Sequence, residues 1–136
     1  MKSKNILITA LFSLFVMLCV STVQAQTADE CKDRIDLVQA DLDTIYANGG
    51  IGGNNVERTY KSLSSKLQEA KLKLDRNKFA DAGRKLNDFK AAVELMRDAG
   101  KPKLSLADAN LLLDGNGGSL IDEGVNGAIL CVLLLP

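Results

Sequence analysis

Apolar residues recur at alternating four- and three-residue steps from Cys31 to Met96. Cys31, Ile35, Val38, Leu42 and Ile45 form the first such series, a spacing that puts all five on one face of an α-helix. Thr27, followed three residues later by Glu30, has the form of a capping box, so the first helix is expected to open there. Asn48-Gly49-Gly50-Ile51-Gly52-Gly53 ends it, because four glycines in that stretch allow backbone conformations a helix does not hold.

Val56, Tyr60, Leu63, Leu67, Ala70 and Leu74 repeat the same stepping and predict a second helix. It should start after Asn54 or Asn55, with Glu57 placed to complete a second cap. Asp75-Arg76-Asn77-Lys78 is a short polar break. Phe79, Ala82, Leu86, Phe89, Val93 and Met96 then mark a third helix, stopped by Gly100 and Pro102. A break this short makes the second and third helices an antiparallel hairpin.

Ser105 with Asp108 reads as another capping box, opening a shorter helix through Leu106, Ala109, Leu112 and Leu113. Gly115-Asn116-Gly117-Gly118 interrupts it, and a turn of helix is expected to resume over Ser119 to Asp122. Ala128 to Leu135 is apolar and too short to span a bilayer. It is expected to pack on the bundle beside Cys131, with an exposed docking patch as the alternative. The predicted fold is therefore all-α: a small helical bundle of three long helices plus a shorter C-terminal helix.

The beginning of the chain has a different pattern. Lys2 and Lys4 precede a nearly unbroken apolar run from Ile6 to Val20, and Val23-Gln24-Ala25 supplies short residues for cleavage. That is the layout of a secretory signal peptide over residues 1–25, with Gln26 as the first mature residue and 26–136 as one helical domain. About 20 apolar residues are needed for a membrane span, and this run is shorter. Val16-Met17-Leu18-Cys19 is only superficially a lipoprotein box, since Leu18 stands where a small residue is wanted. The expected location is secreted, periplasmic or at the cell surface, with no membrane span in the mature chain.

Export changes what the cysteines mean. Cys19 leaves with the leader, and Cys31 and Cys131 remain in a compartment where disulfides persist. Two buried free thiols or a bridge between chains would satisfy the same residues, but pairing arithmetic favours an intramolecular Cys31–Cys131 bond. Such a clasp across the ends of the mature chain would contribute about 4–5 kcal/mol at most by the chain-entropy model.

Charge narrows the partners without naming one. The chain has 17 basic and 17 acidic residues, and losing Lys2 and Lys4 leaves two more acids than bases. That balance argues against nucleic acid or an anionic membrane as the main partner. Six acids and two bases fall in residues 29–43, against thirteen bases and seven acids in 57–103. Because acids are interleaved throughout, attraction between packed helices accounts for this better than a dedicated basic surface does.

The residues also argue against most chemistry. There is no histidine, hence no Ser-His-Asp or Cys-His machinery and no His-ligated zinc. The glycines at 49–53 are not followed by the Lys-Ser/Thr of a phosphate loop. Asp41 with Asp43, and Asp122 with Glu123, are paired carboxylates, but glycosidase chemistry needs two carboxyls facing across a cleft. Asp114 to Glu123 has the flavour of a calcium loop and fails its register. Counting from Asp114 places Gly118 and Val125 at acid positions, and counting back from Glu123 places Leu112 at the first ligand. No catalytic residue, metal site or cofactor is expected.

From Leu37 to Asp114 the chain resembles the FIMAH-type domain, a small helical module found mostly toward the C-termini of secreted bacterial and archaeal proteins, including extracellular hydrolases. The residues that carry the resemblance are Gly49-Gly50-Ile51, Ser62-Leu63, Lys66-Leu67, Ala70 and Leu74. Leu86-Asn87-Asp88-Phe89, Val93, Gly100-Lys101, Leu104-Ser105 and Ala107-Asp108-Ala109 continue it. The Leu-Asn-x-Phe and Gly-Lys elements are its more specific parts; most other positions are generic helix-core residues. The Gly115–Gly118 break departs from the family pattern, and the chain is expected to stand as a whole protein rather than as an appendage. The resemblance implies a helical fold and an extracellular setting, and it carries over no catalytic residue.

Two functions follow as expectations. One is a non-catalytic secreted binding module, using a helical face or the loops at 48–55 and 114–119 to hold a cell-envelope polysaccharide or another secreted protein. The alternative is a helical inhibitor or regulator of an extracellular enzyme. A third, duller possibility is a remnant detached from a larger protein.

Overall fold

The computed structural model describes residues 26–116 and 123–136. The leader at 1–25, the turn of helix expected at Ser119–Asp122 and most of the calcium-like loop lie outside the described residues. Five helices follow in order: α1 Ala28–Ala47, α2 Val56–Asp75, α3 Phe79–Asp98, α4 Leu106–Asp114 and α5 Gly124–Leu133.

The opening cap of α1 forms as its residues require. The Thr27 hydroxyl accepts from the Glu30 N–H at 3.2 Å, and the Thr27 N–H donates to Glu30 Oε2 at 2.9 Å. Cys31, Ile35, Val38, Leu42 and Ile45 are all buried. At the far end the Gly49 N–H donates to the Tyr46 carbonyl and the Gly50 N–H to that of Ile45, at 3.0 and 2.8 Å. This pair is a Schellman motif, and it needs the residue after the cap in the left-handed region, where Gly49 sits at φ +72°.

The α2–α3 turn uses the same device with a different residue. The Asn77 N–H donates to the Leu74 carbonyl and the Lys78 N–H to that of Lys73, while Asn77 takes φ +54°. Asparagine tolerates that conformation better than most side chains. The resulting reversal lays α2 against α3 as the expected hairpin.

Caps elsewhere depart from expectation. Asn55 precedes α2 but its side chain makes no capping bond, and Glu57 pairs instead with Lys61, one helical turn on, at 2.6 Å. The Ser105 hydroxyl accepts from the Asp108 N–H at 3.0 Å and donates to Asp108 Oδ2 at 2.7 Å. The Asp108 side chain thus closes on the hydroxyl rather than on the Ser105 backbone, which makes this half of a capping box.

The largest difference is α5. The sequence reading expects an apolar segment packed on the bundle over 128–135, and the structure has a ten-residue helix starting at Gly124. It lies against α1, α3 and α4, whereas α2 touches only α1 and α3 among the described helices. Leucines occupy its outward side as well, so it shows little of the two-faced pattern that identifies a surface helix. Its entry is tight: a Cβ at Gly124 would lie 2.6 Å from the Leu113 carbonyl carbon and 2.7 Å from the Asp114 and Gly115 nitrogens. Gly124 also has φ +55°, so glycine is required twice over.

Cys31 of α1 and Cys131 of α5 meet at disulfide distance, sulfurs 2.10 Å and Cα atoms 5.5 Å apart, both fully buried. Lys90 donates to Asn126, which in turn donates to Asp114, linking α5 to α3 and α4 as well. The core these helices share centres on Phe89, Ile35, Leu42, Leu67 and Leu86, and no charged or polar residue is buried in it among the described residues. Ion pairs cross between helices: Asp75 with Lys32 and Asp36 with Lys71 between α1 and α2, Glu69 with Lys85 between α2 and α3; of these, Asp36–Lys71 joins the acidic stretch to the basic one.

A candidate binding cleft between two loops

Two loops leave the bundle at the same end, each pinned by one buried side chain. Ile51 anchors the α1–α2 loop and Leu104 the α3–α4 loop, at 2% and 1% exposure. Tyr46 and Tyr60 stack with ring centroids 4.2 Å apart, and the Tyr60 hydroxyl donates to Asp43 at 2.8 Å, so both ends of the first loop are tied together. That hydrogen bond to Asp43 holds the Tyr60 phenol above its ordinary range.

Lys103 couples the loops through its backbone. Its carbonyl accepts from the Gly52 N–H at 2.7 Å, and its N–H donates to the Met96 carbonyl in the last turn of α3 at 2.9 Å. Its methylenes lie over Gly53, 3.6 Å from where a Cβ would stand. This approach leaves an open cleft of about 480 Å³ lined by Gly52, Gly53, Asn54, Asn55, Thr59, Lys101, Pro102 and Lys103.

The chemistry of that lining is one-sided. It offers two ammonium groups, two carboxamides and a hydroxyl, with no carboxylate. None of these side chains makes a hydrogen bond or ion pair among the described residues. A second cleft, of about 450 Å³, is lined by Lys73, Asp81, Arg84, Lys85, Asn87 and Asp88. There the charges are already used: Arg84 and Lys73 pair with Asp81, and Lys85 with Glu69. Arg84 beside it holds the Asp81 carboxyl below its ordinary range, and Glu69 raises the Lys85 ammonium above its own. Donors left unpaired in the first cleft make it the better place for a polar ligand.

Of the two loops singled out from sequence, 48–55 forms one wall of this cleft. The described part of 114–119 does not reach it; Asp114 instead accepts from Asn126 and helps to seat α5. Thr59, Lys101, Pro102 and Lys103 were not expected as lining residues. The signal available for them was slight: two lysines close together on a Gly/Pro loop. No group of three or more Cys, Asp or Glu side chains suited to a metal ion occurs among the described residues, and no described helix is long and apolar enough to cross a membrane.

The terminal apolar segment is buried in part and exposed in part. Ala128, Cys131 and Val132 are buried, while Leu130, Leu133 and Leu134 are 52%, 71% and 60% exposed. Their i, i+3, i+4 spacing puts the three leucines on one outward face of the α5 end. No family model, curated protein or solved structure matches the chain.

Proposed function

We propose that this chain is exported and acts as a non-catalytic binding module that holds a cell-envelope polysaccharide in the cleft between the α1–α2 and α3–α4 loops. The observation that carries the reading is the unpaired, donor-rich lining contributed by Asn54, Asn55, Thr59, Lys101 and Lys103. Amides and hydroxyls match the hydroxyl-rich surface of a glycan, and the two ammonium groups favour one that carries carboxylate, sulfate or phosphate. The leader-like residues 1–25, the Cys31–Cys131 pair and the resemblance to FIMAH-type modules support an extracellular setting.

Co-sedimentation of the oxidised protein, residues 26–136, with purified cell-wall and polysaccharide fractions tests this. Saturable retention that weakens in Lys101→Met/Lys103→Met supports the reading, and absence of retention on every fraction rejects it.

The α5 leucine face favours a second reading, regulation or inhibition of a secreted enzyme through an apolar contact. Leu130→Ser/Leu133→Ser/Leu134→Ser separates the two, since it should leave polymer retention intact and abolish capture of a protein partner.

A further inference from the structure

We infer that Gln26 becomes a pyroglutamyl residue once the leader is removed, so that the mature protein begins with a neutral lactam instead of an amine. The inference rests on the export reading, which makes Gln26 the first residue after Ala25.

Three features around Gln26 favour the closure. Thr27 is locked as the cap of α1, with its N–H on Glu30 Oε2 and its hydroxyl on the Glu30 N–H. Gln26 therefore stands as a single residue ahead of a rigid cap. Its Oε1 is buried without a hydrogen-bond partner, an arrangement that disfavours leaving the extended side chain where it lies. Finally, a new ammonium would stand at the N-terminus of α1, where the helix dipole disfavours a cation. Asp29 and Glu30 in the first turn offset part of that cost, while Asp29 is shared with Lys32 and Glu30 holds the Thr27 N–H.

The chemistry needs no partner. The α-amine, largely unprotonated above a pH of about 8, attacks Cδ of its own side chain and forms the N–Cδ bond of a five-membered ring. The Cδ–Nε2 bond breaks, and ammonia departs with a proton taken from the attacking amine. No electrons are transferred. The product has lost the terminal charge, in the same sense as other terminal blocking reactions, and it gives an aminopeptidase no free amine to engage.

The full chain, exported through its own leader and then reduced and alkylated, provides the test by tryptic mapping. Mapping is needed because Asn48-Gly49, Asn116-Gly117 and Asn126-Gly127 can also lose ammonia. The expected result is an N-terminal peptide spanning Gln26 to Lys32 that is lighter by one ammonia and unreactive toward amine labels. Pyroglutamyl aminopeptidase should then expose Thr27, and Gln26→Ser should give a labelled, unblocked peptide. A Gln26 peptide that keeps its amine through prolonged incubation overturns the inference and leaves export standing. A peptide beginning elsewhere, or an uncleaved chain, overturns both together.

Discussion

The Gly52 N–H donates to the Lys103 carbonyl at 2.7 Å, and through this bond two loops distant in sequence become the walls of one cleft. Lys103 is held from the other side by its own N–H on Met96. Its backbone is therefore fixed at both ends while its ammonium stays unpaired, which is the arrangement a binding group needs. The backbone does the positioning and leaves the charge available.

Removing that charge while keeping the stem should separate binding from folding. Methionine preserves the methylenes that cover Gly53, so Lys103→Met and Lys101→Met should leave the thermal midpoint unchanged. Each should weaken retention on an acidic polysaccharide by about tenfold, the scale of one hydrogen bond to a charged group. Binding isotherms with the purified polymer, beside a melting curve, check both halves.

Gly124→Ala should be among the most damaging single changes in the protein. The added Cβ would meet backbone atoms of Leu113, Asp114 and Gly115 below 3.0 Å, and φ would remain positive. Strain of about 1–3 kcal/mol is expected from the backbone conformation alone, and the clash must displace α5 as well. A urea titration should show the midpoint falling with reduced cooperativity as α5 loosens from α4.

Gly83→Ala should act in the opposite direction. Gly83 lies inside α3 with an ordinary helical backbone, and the nearest atom to an added Cβ is Val132 Cγ1 at 3.9 Å. The methyl group fits, and glycine's extra freedom in the unfolded chain is lost. Stabilisation of about 0.5–1 kcal/mol is expected, readable as a higher thermal midpoint.

Breaking the clasp should cost more than any surface change. Cys31→Ala/Cys131→Ala removes a link closing residues 31–131 and should lower stability by up to about 4–5 kcal/mol on the chain-entropy estimate. Because α5 is held to α1 there, amide exchange should accelerate first in α5. Hydrogen exchange with and without reductant reads this directly.

Acid should weaken the fold only at low pH. Glu57 is held below its ordinary range by Lys61, Glu69 by Lys85, Asp81 by Arg84 and Asp98 by Arg97. A depressed folded value gives stability that is complete above the unfolded value and lost as pH falls through the folded one. The ordinary values are 4.5 for the Glu and 3.8 for the Asp residues. These groups are exposed or half-buried at the surface, so the contribution is small. With no histidine in the chain, the thermal midpoint should stay flat from about pH 5 to 8 and decline below about pH 4. A melting series across buffers checks the sign.

Much of this was legible along the chain. The stripe from Cys31 to Ile45, the Thr27–Glu30 box and the Asp75–Lys78 reversal are local features, and each forms where its residues place it. The Asn55–Glu57 cap failed because α2 opens at Val56 with Asn55 as its cap, which puts Glu57 at the second helical position instead of the third, and its carboxylate pairs with Lys61. Helix α5 went unread because Gly124 and Gly127 lower helix propensity, while leucines on its outward side leave no polar face to mark it.

The residues by themselves determined the helix class, the positions of α1 to α4 and the two cysteines that meet. The helices follow from periodicity and capping, interactions that span three or four residues; the cysteine pairing rests instead on there being two cysteines after the leader-like segment. Only the tertiary structure decided that α5 is a helix set among α1, α3 and α4, that Ile51 and Leu104 anchor neighbouring loops, and that Lys101 and Lys103 share a cleft with Asn54 and Asn55. Those outcomes depend on which apolar faces fill one common core, and no short stretch of sequence specifies that by itself.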